Sequence, residues 1–270
     1  MGFVLRFVIF ALFLPVWLLG AEKVEFVIII PSYNNERFCV ANLESVVKQD
    51  YPHFKVKYVN DCSTDHTQVF VENFIKEKKL KGKVELINND KRVGALANIY
   101  RVAHQCKPRQ VLITCDGDDF FASPQVLSRV AKEYQDKNVW MTYGDFRTTR
   151  TTWGSCCAEI PTDVALSNSF RTHDWVASHL RTFYAKLFQK IKKKDLMWNG
   201  KFFPMTWDMA MMFPMMEMAA LGHFRYIKDI LYIYNVDNPI CDYRINAQLQ
   251  NDLDKHIRSL TPYKPLKKLF

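Results

Sequence analysis

Three carboxylates crowd into four positions, Asp116-Gly117-Asp118-Asp119, directly after the apolar run Val111-Leu112-Ile113-Thr114-Cys115. Like charges this close repel, so the cluster is comfortable only where water, a cation or a basic partner compensates it. By itself it also reads as a solvated acidic turn, with Gly117 supplying the turn geometry. Two more polar stretches follow apolar runs in the same way: Ser32-Tyr33-Asn34-Asn35 after residues 24–30, and Asn60-Asp61-Cys62-Ser63-Thr64-Asp65 after residues 54–59. Further on, a single carboxylate, Asp208, stands beside Trp207 just after Phe202-Phe203. Carboxylates in such settings hold divalent cations through oxygen or move protons.

The elements that must position these residues alternate in type. Strands are expected at residues 24–30, 54–59, 84–87, 111–115 and 138–143. Helices are expected between them at 36–48, 66–79, 92–104 and after Ser123-Pro124, the first with Val40, Leu43, Val46 and Val47 on one face and residues 32–35 as caps. Such alternation predicts an α/β fold with a mostly parallel sheet flanked by helices, whose ligands bind at the C-terminal ends of the strands. The three polar loops therefore converge on one edge. Beyond residue 145 the alternation stops. Residues 176–190 and 207–221 read as helical, the methionines from Met209 to Met218 as adaptable core, and 223–231 as a last strand. Asn235, Asp237 and Asp242 are expected at the surface of a following loop, and residues 259–270 as a basic, extended or loosely attached tail.

At 270 residues and 49% hydrophobic, the chain has core material for one large domain. The net charge of +9 comes from lysine blocks without a nucleic-acid motif, so they read as solvated faces, with a membrane surface or an anionic ligand as the second choice. Residues 1–21, with Arg6 ahead of an apolar run, read as a signal peptide or N-terminal membrane anchor, which places the protein in the secretory pathway or at a membrane. Seven cysteines with no CxxC pair give neither a zinc site nor an even disulfide framework. Cys39, Cys62, Cys106 and Cys115 fall in core segments, and only Cys156-Cys157 stands out.

The runs Ile28-Ile29-Ile30-Pro31-Ser32-Tyr33-Asn34-Asn35-Glu36, Val59-Asn60-Asp61-Cys62-Ser63-Thr64-Asp65, Arg92-Val93-Gly94-Ala95-Leu96-Ala97-Asn98 and Asp116-Gly117-Asp118-Asp119 together resemble family 2 glycosyltransferases of the GT-A fold. The resemblance implies a Rossmann-like GT-A domain over residues 22–258, with a nucleotide-sugar-binding half at 22–145 and a helical or irregular acceptor half at 146–258. It further implies inverting transfer of a sugar from a nucleoside-diphosphate donor, UDP being expected, to a glycan, lipid or protein hydroxyl. Ser32, Tyr33, Asn34, Asp61 and Arg92 would hold the nucleotide. Asp116 would bind ribose, and Asp118 a Mn²⁺ or Mg²⁺ ion, in a DxD-type motif. Asp208 would be the general base, made more basic by desolvation beside Trp207 and Phe203. Glu217 is the reserve base, and His173 or His223 the candidate to complete the metal shell. The chain departs from the family in having Asn60 before Asp61 and Trp207 before Asp208. A nucleotidyltransferase would want a glycine-rich phosphate loop after the first strand, and residues 31–38 contain no glycine. A catalytically silent, secreted nucleotide- or carbohydrate-binding relative is the non-enzyme alternative.

Overall fold

A strand apolar at every position needs cover on both faces, and the first strand has it. In the computed structural model, which describes residues 23–155, 157–239 and 246–270, β1 (Phe26–Ser32) is buried along its whole length. Val27 and Ile29 join one core cluster, while Phe26, Ile28 and Ile30 join the other on the opposite face. Next come α1 (Cys39–Val47), β2 (Phe54–Asn60), α2 (Thr67–Glu77), β3 (Val84–Asn88), α3 (Ala95–Gln105) and β4 (Val111–Thr114). Then follow β5 (Phe120–Phe121), α4 (Val126–Glu133), β6 (Met141–Thr148), α5 (Thr162–Leu166), β7 (Arg181–Tyr184), α6 (Ala185–Phe188) and a small hairpin, β8 (Met197–Trp198) with β9 (Lys201–Phe202). The last elements are α7 (Trp207–Met218), β10 (Phe224–Tyr234) and α8 (Ala247–Ser259).

Among the described residues the main sheet runs β3-β2-β1-β4-β7-β6-β10-β5. β1, β2, β3 and β4 pair in parallel, as do β6 and β10, whereas β7 is antiparallel to both β4 and β6. The expected α/β fold with a mostly parallel sheet is what forms. The helix expected over 176–190 is not: its middle is β7, filling the gap between two parallel blocks. β10 also runs to Tyr234, and Asn235 beyond it is buried rather than at the surface. Val40 on α1 is exposed, the buried face being Cys39, Asn42, Leu43 and Val46.

The methionine segment is core. Eleven of the twelve residues of α7 are buried, and Asp208 in its first turn is the exception. A helix apolar on all sides belongs inside. The tail is tied down instead of loose: the Tyr263 N–H donates to Glu217 Oε2 at 2.8 Å, the Leu266 N–H to the Met218 carbonyl at 2.9 Å, and Leu269 is buried.

The apolar start at residues 1–21 and the cysteine pair's Cys156 lie outside the described residues. Among those described, no helix is long and apolar enough to cross a membrane. The longest, α8, has 13 residues and a polar face, against the roughly 20 apolar residues a span requires. The secretory or membrane-associated location expected from the sequence is corrected accordingly, since nothing in the described fold carries it.

Candidate active site

The loops after β1, β2 and β4 meet at one edge of the sheet, as parallel topology requires. Their polar residues bond mainly to one another. Ser32 Oγ accepts from Tyr58 OH at 2.8 Å and from Asn35 Nδ2 at 3.0 Å. Residues 32–35 therefore do not cap α1, as the sequence suggested; they lock the first loop to the second. Asn34, at φ +52°, donates its N–H to Ser63 Oγ and accepts from the Thr64 N–H, and the Asn35 N–H donates to Thr67 Oγ1. Asp61 is buried. Its oxygens accept from Asn89 Nδ2 at 2.7 Å and from the N–H groups of Val93 at 3.0 Å and Gly94 at 2.8 Å, at the start of α3. Gly94, at φ +91°, allows that turn.

These loops line a groove of about 190 Å³. Ser32, Tyr33, Asp61, Arg92, Asp116 and Asp118 line it, with the Arg92 guanidinium 3.7 Å from the centre of the Tyr33 ring. Asn34 does not reach the lining and serves as the clamp just described. Asn35, Asn98, Trp207, Tyr234 and Asn238 also line the groove; the sequence suggested Asn35 only as a cap and Trp207 only as the apolar neighbour of Asp208, and gave Asn238 no role. Asn238 Nδ2 donates to Asp118 Oδ2 at 2.6 Å, and burial pushes the Asp118 carboxyl above the usual range.

Gly117 is required for close approach more than for a turn. A Cβ there would lie 2.5 Å from Ser32 Oγ and 2.6 Å from Ser32 Cβ, so any side chain pries the acidic loop off the first loop. Overpacking of this kind costs about 1–3 kcal/mol. Gly117→Ala is therefore expected to lower the folding stability by about that amount. Thermal melts are the measurement, and an unchanged Tm would refute the close-approach argument.

The acidic loop faces a buried arginine that the sequence reading passed over. Arg181 on β7 is 1% exposed, yet its guanidinium spans the site. Nη1 donates to Asp208 Oδ2 at 3.1 Å, Nη2 lies 4.0 Å from Asp116 Oδ2, and Nη2 donates to His179 Nδ1 at 3.1 Å. Since Nδ1 accepts, the neutral His179 ring carries its proton on Nε2. Burial, reinforced by Arg181, holds the His179 pKa well below its usual value. Arg181 also lies 5.0 Å from the Trp207 ring, so Asp208 has a guanidinium as its neighbour as well as the apolar groups anticipated. Its helix starts from Thr206 at φ +56°, a strained conformation for a β-branched residue.

Asp116, Asp119 and His179 offer ligand atoms that all lie within 4.8 Å of one another, a group able to hold a metal ion. Oxygen donors with one imidazole suit Mn²⁺ or Mg²⁺. His179 would have to release the Arg181 N–H from Nδ1 or the proton from Nε2 to serve as a ligand, and Asp119 is also poorly available. It is fully buried, accepts from Tyr232 OH and the Asn235 N–H at 2.7 Å each, and has its pKa pushed well up by burial and by Asp118 and Asp116. Asp118 lies outside that group but lines the same groove. The histidines considered from sequence lie elsewhere: His223 stacks on Trp140 with ring centres 3.6 Å apart, and His173 bonds to the Asp174 carbonyl. Glu217 is paired with Arg171, about 14 Å along α7 from Asp208 at 1.5 Å per residue.

The model of glycosyl transferase family 2 matches residues 27–213, a span that takes in the loops after β1, β2 and β4 together with Arg181 and Asp208, but not Tyr234 and Asn238. The chain belongs to this family. Solved glycosyltransferases share its fold: TarS residues 1–349 from S. aureus in complex with UDP-GlcNAc, at TM-score 0.58 and 19% identity, over 80% of this chain and 59% of that one. The mannosyltransferase PcManGT of Pyrobaculum calidifontis, in complex with GDP-Man and Mn²⁺, aligns at TM-score 0.58 and 18% identity over 90% of this chain and 66% of its own. In sequence, the chain is 34% identical over 98 residues, 36% of its length, to the Staphylococcus aureus poly(ribitol-phosphate) β-N-acetylglucosaminyltransferase TarS. It is 26% identical over 119 residues, 44% of its length, to the Escherichia coli UDP-Glc:α-D-GlcNAc-diphosphoundecaprenol β-1,3-glucosyltransferase WfgD. These matches span 16% of TarS and 44% of WfgD.

Proposed function

We propose that this protein transfers a sugar from a nucleoside-diphosphate donor, UDP being the expected nucleotide, to a hydroxyl acceptor with inversion at the anomeric carbon. The observation that carries the reading is Arg181, whose guanidinium touches Asp208 on one side and approaches Asp116 on the other. One rigid cation thus holds the donor carboxylate and the base carboxylate in fixed relation to each other. The donor nucleotides named for TarS and WfgD support UDP.

In this reading Tyr33, stacked under Arg92, and Asp61 receive the nucleoside, and Arg92 stands ready for the diphosphate. The acceptor oxygen attacks the anomeric carbon, the bond from that carbon to the phosphate oxygen breaks, and the acceptor's proton passes to Asp208. Asp116 and Asp118 would hold a divalent cation, with Asp119 and His179 within reach, and the ion would supply charge stabilisation to the departing diphosphate. Arg181 keeps the Asp208 carboxylate from rotating away from the groove.

The test is release of nucleoside diphosphate from a panel of nucleotide sugars by the full chain, with and without Mn²⁺. Metal-dependent turnover of one donor is expected, with at least about a hundredfold loss in Asp118→Ala, in the range seen when a charge-stabilising group is removed. Turnover that survives in Asp118→Ala would sink the metal assignment. Failure of the wild-type chain to bind any nucleoside diphosphate would sink the donor site.

A further inference from the structure

A second cavity, larger than the donor groove, lies elsewhere in the described structure. It measures about 680 Å³ and opens at the opposite edge of the sheet, where β1, β4, β6 and β10 begin and the antiparallel β7 ends. From Val24 in its wall to Ser32 in the groove, the chain runs through β1 at about 3.3 Å per residue, which separates the two sites by roughly 25 Å.

Its lining is strongly one-signed. Lys23, Lys107, Arg109, Lys137, Lys267 and Lys268 contribute six cations against one side-chain carboxylate, Glu25, in a chain whose net charge is +9. Of these, Lys107, Arg109, Lys267 and Lys268 make no ion pair among the described residues. Four like charges gathered in a concavity beside a single carboxylate repel, and an anion bound among them removes that cost. The walls carrying them are fixed in place. The Lys107 turn closes on itself, its N–H donating to Gln110 Oε1 at 2.9 Å and the Gln110 N–H to the Lys107 carbonyl at 3.0 Å. The tail is anchored by buried Leu269 and by Phe270, which packs edge-on to Tyr184 at 5.1 Å with the Arg109 guanidinium 4.2 Å from its ring centre. Behind the cations, the aromatic surface that reaches the cavity is that of His223, Tyr184 and Phe270, with His223 stacked at 3.6 Å on Trp140, which like Tyr134 is buried behind it.

We propose that this cavity is a second ligand site, separate from the donor groove, that binds a phosphorylated carbohydrate or polyol. Its cations recognise phosphate oxygens, and its aromatic wall takes the sugar or polyol carbon skeleton. A volume of several hundred cubic ångströms is that of an ordinary small-molecule site. The phosphate can belong to a small sugar phosphate or to one repeat of a longer phosphodiester chain; the chemistry recognised is the same.

Calorimetric titration of the full chain in EDTA, which keeps metal-dependent binding at the donor groove silent, tests this with two probes: glucose 1-phosphate and a glycerol-phosphate oligomer. Binding of at least one probe is expected. It should weaken about tenfold or more when Arg109→Ala and Lys268→Ala are combined, since each removes a charge-assisted contact. It should stay within about twofold in Asp118→Ala and fall as salt rises. Glucose 1-phosphate binding alone supports a small ligand, and oligomer binding alone supports a chain repeat. Arg109 and Lys268 are exposed side chains, and matching thermal melts confirm that the double variant is folded. Binding lost in Asp118→Ala but kept in the double variant would overturn the proposal, as would absence of binding by both probes. Neither outcome bears on turnover at the donor groove, because no step of this test depends on it.

Discussion

Asp208→Asn is expected to lower kcat for sugar transfer by about 10²–10⁴-fold while leaving UDP affinity within a fewfold of wild type, the signature of losing a general base. The substitution keeps the side chain's size, and its amide oxygen still accepts from Arg181 Nη1, so the start of α7 and the groove keep their shape. What disappears is the ability to take a proton. Asp208 is suited to that task by exposure as much as by charge: in a helix otherwise buried on every side, it alone reaches solvent, at 25% exposure, where an acceptor hydroxyl can meet it. Steady-state release of nucleoside diphosphate gives kcat, and calorimetry with UDP gives the affinity. A kcat within tenfold of wild type would remove Asp208 from the chemistry, and a parallel loss of UDP binding would make it part of the donor site instead.

The donor half of the site was legible because buried parallel strands leave a plain trace. Residues 26–30 and 111–113 are apolar without alternation since both faces are covered, and whatever polar group follows such a run must emerge at the sheet's C-terminal edge. Asp61, Asp116 and Asp118 were found that way. Arg181 and His179 were missed for an equally physical reason. Val176, Leu180, Phe183, Tyr184 and Leu187 recur at helical spacing, so the segment reads as a helix, yet hydrogen bonding to β4 and β6 makes residues 181–184 a strand. Pairing across the sheet overrode local pattern. The available signal was Arg181 itself, a lone arginine inside an otherwise largely apolar segment, since a buried guanidinium demands carboxylate partners. Inter-loop bonding by Ser32, Asn34 and Asn35 was equally hidden, because helix caps and loop clamps use the same residue types.

Arg171→Met is expected to cause the largest loss of stability, about 3–5 kcal/mol, the usual result of removing one partner of a buried ion pair. Glu217 is 0% exposed, and Arg171 meets it with two nitrogens, Nη2 at 3.0 Å from Oε2 and Nε closer still to Oε1. The same guanidinium donates to the Ile257 carbonyl on α8, and Glu217 accepts from the Tyr263 N–H, so one pair joins α7, α8 and the tail. At this chain length, 3–5 kcal/mol corresponds to a fall in Tm of roughly 10 °C. The pH dependence has a definite sign. Burial already raises the Glu217 pKa despite the arginine beside it, and losing that cation raises it further. A carboxyl that binds its proton more tightly folded than unfolded makes the folded state dearer as pH rises from the unfolded pKa through the folded one. The gap between Arg171→Met and wild type should therefore widen from about pH 5 to about pH 8, across the range a further-raised Glu217 pKa would cover. Thermal melts at the two pH values measure it, with kcat read at low temperature on the folded fraction. A kcat close to wild type is the expected companion result, because this pair sits at the far end of α7 from Asp208. A thousandfold loss of kcat without loss of Tm would instead return Glu217 to the chemistry as the base.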